Sequence, residues 1–151
     1  MPLRRHEALQ ELSRDHHRAL LLARGLRSDV PRHLRSDLPK TSVERAAHVR
    51  SVFDAELAPH FLAEEAVLFP AVAGKDGGLD GLCAEATNEH NALRALVAVL
   101  DQSNLGPIVL EHTLDRFGRL LEDHVRKEER SLYPRIQEVL GEGALSRLGS
   151  R

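Results

Sequence analysis

Apolar residues recur every three to four positions along most of the chain, and no stretch alternates apolar and polar with the period of a strand. Proline- and glycine-rich punctuation divides this helical pattern into four long segments. The first, about residues 5 to 27, carries Leu9, Leu12, Leu20, Ala23 and Leu26, and ends at SDVPRHLRSDLPK, whose prolines forbid a continuing helix. The second opens with a capping signal, Thr41-Ser42-Val43-Glu44, and runs to about Ala73. GKDGGLDG reads as a loop. The third spans about 80 to 102, and the fourth runs from Pro107, well suited to a first helical position, to about Leu140. The tail GEGALSRLG has room for one short helix. The expected fold is all-α: an antiparallel up-down-up-down four-helix bundle with a short C-terminal helix, in one domain over residues 1–151.

Polar residues interrupt the inward stripes at corresponding places. The second segment reads Phe53, Leu57, His60, Glu64, Val67, Ala71, and the fourth reads Phe117, Leu121, His124, Glu128, Ser131, Arg135. A His and a Glu thus occupy core register twice, 64 residues apart, inside HFLAEEAVLFPAV and HVRKEERSLYPRI. Spaced i,i+4, imidazole and carboxylate share one helical face and can point at a common centre. A single such pair is ordinarily a surface contact worth a few tenths of a kcal/mol. Two pairs buried among Phe and Leu would each cost several kcal/mol unless a cation compensates them.

The remaining segments each offer one imidazole. His90 sits amid Cys83, Ala86, Leu93, Val97 and Leu100. In the first segment His16 lies on the stripe of Leu9, Leu12, Ala19, Ala23 and Leu26, whereas His17 would turn Arg24 and Arg27 inward. His16 is therefore preferred, with His17 as the alternative. The candidate set is His16, His60, Glu64, His90, His124 and Glu128. Six such side chains suit two metals sharing the carboxylates better than one metal left open. Imidazole and carboxylate without thiolate fit iron best, and manganese or zinc less well.

Composition narrows the function classes. Twenty-one basic against 23 acidic residues give no charge-driven case for a nucleic acid or membrane partner, and no apolar run is long enough to span a bilayer. One Cys and a polar first segment lead to the expectation of a cytoplasmic protein, acting as a monomer or weak dimer.

DHHRAL, HFLAEE…LFP, NEHNAL and HVRKEE…LYP, in this order, resemble the hemerythrin-like (HHE cation-binding) domain family over about residues 5 to 140. The resemblance implies a non-haem di-iron centre with an oxo or hydroxo bridge. His16 (or His17), His60, His90 and His124 would be terminal imidazoles, and Glu64 and Glu128 bridging carboxylates. It implies a small diatomic or peroxide ligand. Oxygen-carrying members resemble HxxxH on the third helix, but this chain has Arg94 four residues after His90. The expectation is accordingly a protein that reacts with or senses O2, peroxide or nitric oxide. An oxygen carrier, or an iron-sensing or iron-storing module without turnover, is the alternative.

Neighbouring residues are weighed individually. Glu65 and Glu129 read as partly covered helix carboxylates or as acceptors for a ligand imidazole or an arginine. Pro70 and Pro134 read as kinks or helix-end devices, and Pro59, with no counterpart at Asp123, as a bend in one helix. Tyr133, paired with Phe69, reads as packing, or as a phenol able to give a proton to the centre. Cys83 reads as a small buried hydrophobe, redox-active only if exposed. His48 and His112 lie twelve residues before His60 and His124, too far along the axis to share their centre. His6 and His33 read as solvated.

Overall fold

The computed structural model describes residues 4–29, 38–102 and 104–149. His33 lies outside them. Among the described residues there is no strand, and helices build a bundle. The elements are α1 (Glu7–Leu26), α2 (residues 42–72), α3 (Gly77–Leu100), α4 (residues 107–139) and α5 (Glu142–Gly149). None of these helices is long and apolar enough to cross a membrane.

Local chemistry sets the ends. Thr41 Oγ1 accepts the Glu44 N–H at 3.1 Å and opens α2. After Val72 the chain leaves the helix, and Gly74 takes a φ of 77°, open to glycine at no steric cost. Asp76 then caps α3 by accepting the Leu79 N–H at 2.9 Å. The helix therefore starts inside GKDGGLDG, earlier than the glycines suggest. Pro107 occupies the first turn of α4. His6 is not simply solvated: its Nδ1 accepts the Ala8 N–H at 3.0 Å as the cap of α1, and its Nε2 meets Glu142 of α5 at 2.9 Å.

Three five-residue stretches are wound wider than an α-helix: Phe53–Leu57, Glu64–Leu68 and Glu128–Leu132. Across them the N–H of Ala58, Phe69 and Tyr133 bonds back five residues, to the carbonyls of Phe53, Glu64 and Glu128. In each case a proline comes next: Pro59, Pro70 and Pro134. An interior proline strikes the carbonyl four residues behind it, and the widened π-turn moves that carbonyl aside. The prolines therefore sit within continuing helices. As expected, Pro59 has no counterpart, and α4 passes regularly through the corresponding stretch.

Each π-turn inserts one residue into the periodicity, which corrects the stripes expected beyond Glu64 and Glu128. Leu68, Phe69 and Val72 are buried in place of Val67 and Ala71. Likewise Leu132, Tyr133 and Ile136 are buried, while Ser131 and Arg135 are exposed.

Two apolar clusters result. One gathers Leu22, Leu26, Val49, Phe53, Leu93, Leu100, Leu114 and Phe117; the other gathers Leu9, Leu68, Phe69, Leu79, Leu132, Ile136 and Leu145 of α5. Along every long helix the inward His and Glu residues of the expected set fall between the two. α1 and α4 approach closely at Gly118, where a Cβ would stand 2.7 Å from the Ala23 carbonyl oxygen.

Candidate metal centre

His16, His60, Glu64 and Glu128 form one group with ligand atoms within 4.8 Å of each other, and Glu64, His90, His124 and Glu128 form a second. Both groups share the two carboxylates. All six residues expected from the sequence meet at this waist, each at most 4 % exposed. His17 is exposed, as are His48 and His112.

The four imidazoles point Nε2 inward. His16 Nε2 lies 2.8 Å from Glu128 Oε1 and 3.1 Å from His60 Nε2. His90 Nε2 is 3.1 Å from Glu64 Oε1, and His124 Nε2 is 3.3 Å from Glu128 Oε1. The Nδ1 atoms point outward, and each meets a carboxylate on another helix. Asp15 of α1 takes His60 of α2 at 3.0 Å, and Glu65 of α2 takes His90 of α3 at 2.6 Å. Glu89 of α3 takes His124 of α4 at 2.7 Å, and Glu129 of α4 takes His16 of α1 at 2.7 Å. The four contacts close a ring, each helix holding the imidazole of the next.

Every one of these acids is the sequence neighbour of an inward-facing residue. Each also meets a cation farther out: Asp15 meets Arg18, Glu65 meets Arg94, Glu89 meets Lys127, and Glu129 meets Arg5. A carboxylate at Nδ1 keeps the ring proton there and turns the Nε2 lone pair toward the centre, as metal-ligating histidines require. Glu65 and Glu129 thus accept imidazole N–H groups, one of the two roles open to them in the sequence. Asp15 and Glu89 were not singled out for that role. Their signal was present, since an acid directly precedes His16 and His90.

Aromatic rings stack on two of the imidazoles. Phe61 stacks on His90 at 4.0 Å between centroids, with Phe69 beyond at 6.2 Å. Tyr133 stacks on His16 at 5.1 Å, and its phenol donates to Glu64 Oε2 at 2.8 Å. Tyr133 therefore does more than pack. Arg94, one turn after His90 on α3, binds Glu65 through both terminal nitrogens and lies over Phe61.

Electrostatics divide the set. Burial, then the charge of Glu128, pushes Glu64 well above the usual carboxylate range. Burial would raise Glu128 too, but the His124 and His16 imidazoles beside it outweigh that and hold this carboxyl low. For His124, the Glu128 and Glu89 carboxylates beside it overcome burial and lift the imidazole to about 9. Burial, then the charge on His124, takes His90 down to about 4. Cys83 is half-buried, and burial pushes its thiol up to about 11, so it is no ready nucleophile.

Four buried atoms lack a hydrogen-bond partner here: Glu64 Oε1, His90 Nε2, His124 Nε2 and Glu128 Oε2. Orphaned buried polar atoms are costly, and these four converge on the same waist. Nitrogen and oxygen donors in two groups, bridged by two carboxylates, fit a pair of transition-metal cations.

The hemerythrin HHE cation-binding domain model matches residues 7–136. Neither the curated proteins nor the solved structures include a match to the chain.

Proposed function

The chain belongs to the hemerythrin HHE cation-binding domain family, and from that premise we propose that it is a non-haem di-iron protein that reacts with O2, peroxide or nitric oxide. His16 and His60 would hold one iron, His90 and His124 the other, with Glu64 and Glu128 shared between them. The observation that carries this reading is the set of four orphaned donor atoms converging at the buried waist. We propose equally that the four long helices alternate in direction. This accounts for α1 and α3 meeting the Leu9–Leu79 cluster first and the Leu26–Leu100 cluster last, and α2 and α4 the reverse.

Iron held by these residues would supply redox chemistry toward a small oxidant. The chain's own residues hold the imidazoles in one tautomer, exclude bulk water with two apolar clusters, and set a phenol against Glu64. Tyr133 is buried, and burial keeps its hydroxyl protonated, so a proton is held at Oη beside the centre. Arg94 is committed to Glu65, and the donor set ends at two imidazoles per iron. That favours reaction over reversible carriage.

Anaerobic reconstitution with ferrous iron, followed by elemental analysis, tests the centre. About two equivalents per chain are expected. Less than one equivalent of any transition metal would remove the di-iron reading. Stopped-flow mixing of the reduced protein with peroxide then tests reactivity: repeated turnovers support an enzyme, and one stoichiometric change supports a sensing module.

A further inference from the structure

The 64-residue repeat pairs positions of α2 with positions of α4, and Ala63 and Lys127 are one such pair that differs in reach. Lys127 of α4 spans to α3, its Nζ 2.6 Å from Glu89 and 3.4 Å from Glu85, and so covers the carboxylate that holds His124. The corresponding residue of α2 is Ala63. A methyl group cannot cross to α1, and the cation that meets Asp15, the carboxylate that holds His60, is Arg18 of its own helix.

At Ala63 the surface is hollow. A cleft of about 500 Å³ runs between α1 and α2, with Leu9, Leu12, Ala63 and Leu68 along it and Asp15 and His60 at its inner wall. His60 reaches from this cleft to the centre. Its Nδ1 bonds Asp15, and its Nε2 lies 3.1 Å from His16 Nε2, so one imidazole separates cleft from centre. The Asp15–His60 bond, 3.0 Å, is also the longest of the four that hold imidazoles. The opposite side differs in that Lys127 reaches across the α3–α4 seam. Among the described residues that line the cleft, Glu7, Glu11 and Glu56 stand with Asp15 against the cation Arg18. Such a balance draws cations and leaves neutral molecules unhindered.

We propose that the α1–α2 cleft is the entrance to the centre, for metal cations and for small neutral ligands, and that Ala63 keeps it open. Resting on the metal-centre reading, the entrance makes the two halves unequal. The His16–His60 half faces the entrance and the Tyr133 phenol. The His90–His124 half has Lys127 across its seam.

The test measures how fast the full-length, metal-free chain takes up Co²⁺, followed by stopped-flow absorption, and how much it holds at equilibrium. Ala63→Lys copies the residue of the other half, and Ala63→Phe fills the cleft with an apolar ring. Ala63 is only partly buried, so both substitutions are compatible with folding. Both are expected to slow uptake by about tenfold or more, leaving only local opening as a route, with the final Co²⁺ content unchanged. Ala47→Phe, on the exposed face of α2, should load at the parent rate. Parent-like rates in both Ala63 variants, or slowing equal to that of Ala47→Phe, would overturn the entrance and leave the metal centre standing. A parent chain that binds no Co²⁺ and no Fe²⁺ would overturn both.

Discussion

Arg94 grips Glu65 through both terminal guanidinium nitrogens, at 3.0 and 3.1 Å, and Glu65 in turn holds the Nδ1 of His90 at 2.6 Å. Arg94, four residues after His90, therefore supports that imidazole through Glu65. Arg94→Ala should weaken metal binding about tenfold or more, because its loss frees Glu65 and then the ring of His90. Arg94→Lys should recover only part of that loss, since an ammonium cannot make the two-pronged contact. Competition against a chromophoric chelator measures both. Parent affinity in Arg94→Ala would show that Glu65 needs no anchor.

Pairs of histidines separate the centre from its surroundings. His16→Ala and His60→Ala should each lose metal and lower the melting temperature of the loaded protein. His17→Ala and His48→Ala, both exposed, should do neither. Metal analysis beside thermal melts reads the four variants together. Metal loss from His17→Ala with retention in His16→Ala would reverse the assignment in α1.

The Tyr133 phenol can be removed while its ring stays. Tyr133→Phe should keep its metal and lose about 1 kcal/mol of stability, the usual net worth of a buried hydrogen bond. Under the proposed reactivity the peroxide reaction should slow by about tenfold or more, because the proton at Oη is gone. Rapid mixing at several pH values checks this, and an unchanged rate would reduce Tyr133 to packing.

Stability of the metal-free chain should depend on pH in both directions. His124 sits at about 9, above its ordinary 6.5, so its contribution is complete below 6.5 and is lost as pH rises through 9. His90 sits at about 4, so its contribution is present above 6.5 and is lost as pH falls through 4. Melting temperatures recorded in chelator should therefore peak at about pH 6 to 7 and decline toward about pH 9. Loaded protein should not show the alkaline decline, because metal takes the place of the Nε2 proton. A melting curve of the metal-free chain that is flat from neutral to alkaline pH would refute the assignment.

Gly118→Ala tests the close approach of α1 and α4. Its new methyl would press on the Ala23 carbonyl oxygen, at 2.7 Å, and on Leu26 Cβ, at 3.0 Å. Helix propensity favours alanine by about 1 kcal/mol, but overpacking of this kind costs about 1–3 kcal/mol. Net destabilisation is expected in denaturant titration. A stabilised variant would mean that the two helices separate freely.

Much of the site was legible because it is local. His60 with Glu64, and His124 with Glu128, are one helical turn apart, and the choice of His16 over His17 followed from the apolar stripe around it. The stripe beyond Glu64 and Glu128 was misread for a physical reason. A regular period assigns Val67 and Ser131 inward, but a π-turn starts at each glutamate and hands those places to Leu68 and Leu132. The prolines mark the wide turns, although a proline alone does not distinguish a kink from a π-turn that accommodates it.

By itself the sequence determined four helical segments and an inward His/Glu register, since both depend on spacing along a single helix. Only the tertiary structure decided which acid holds which imidazole. Asp15 lies beside His16 in the chain yet bonds His60, and Glu129 lies beside Glu128 yet bonds His16. Residues adjacent in a helix point in different directions, so a partner for an outward Nδ1 must come from whichever helix packs alongside. The same holds for Ala63 and Lys127. Their difference is plain in the repeat, but that one leaves a cleft and the other covers a carboxylate depends on the width of the seam each faces.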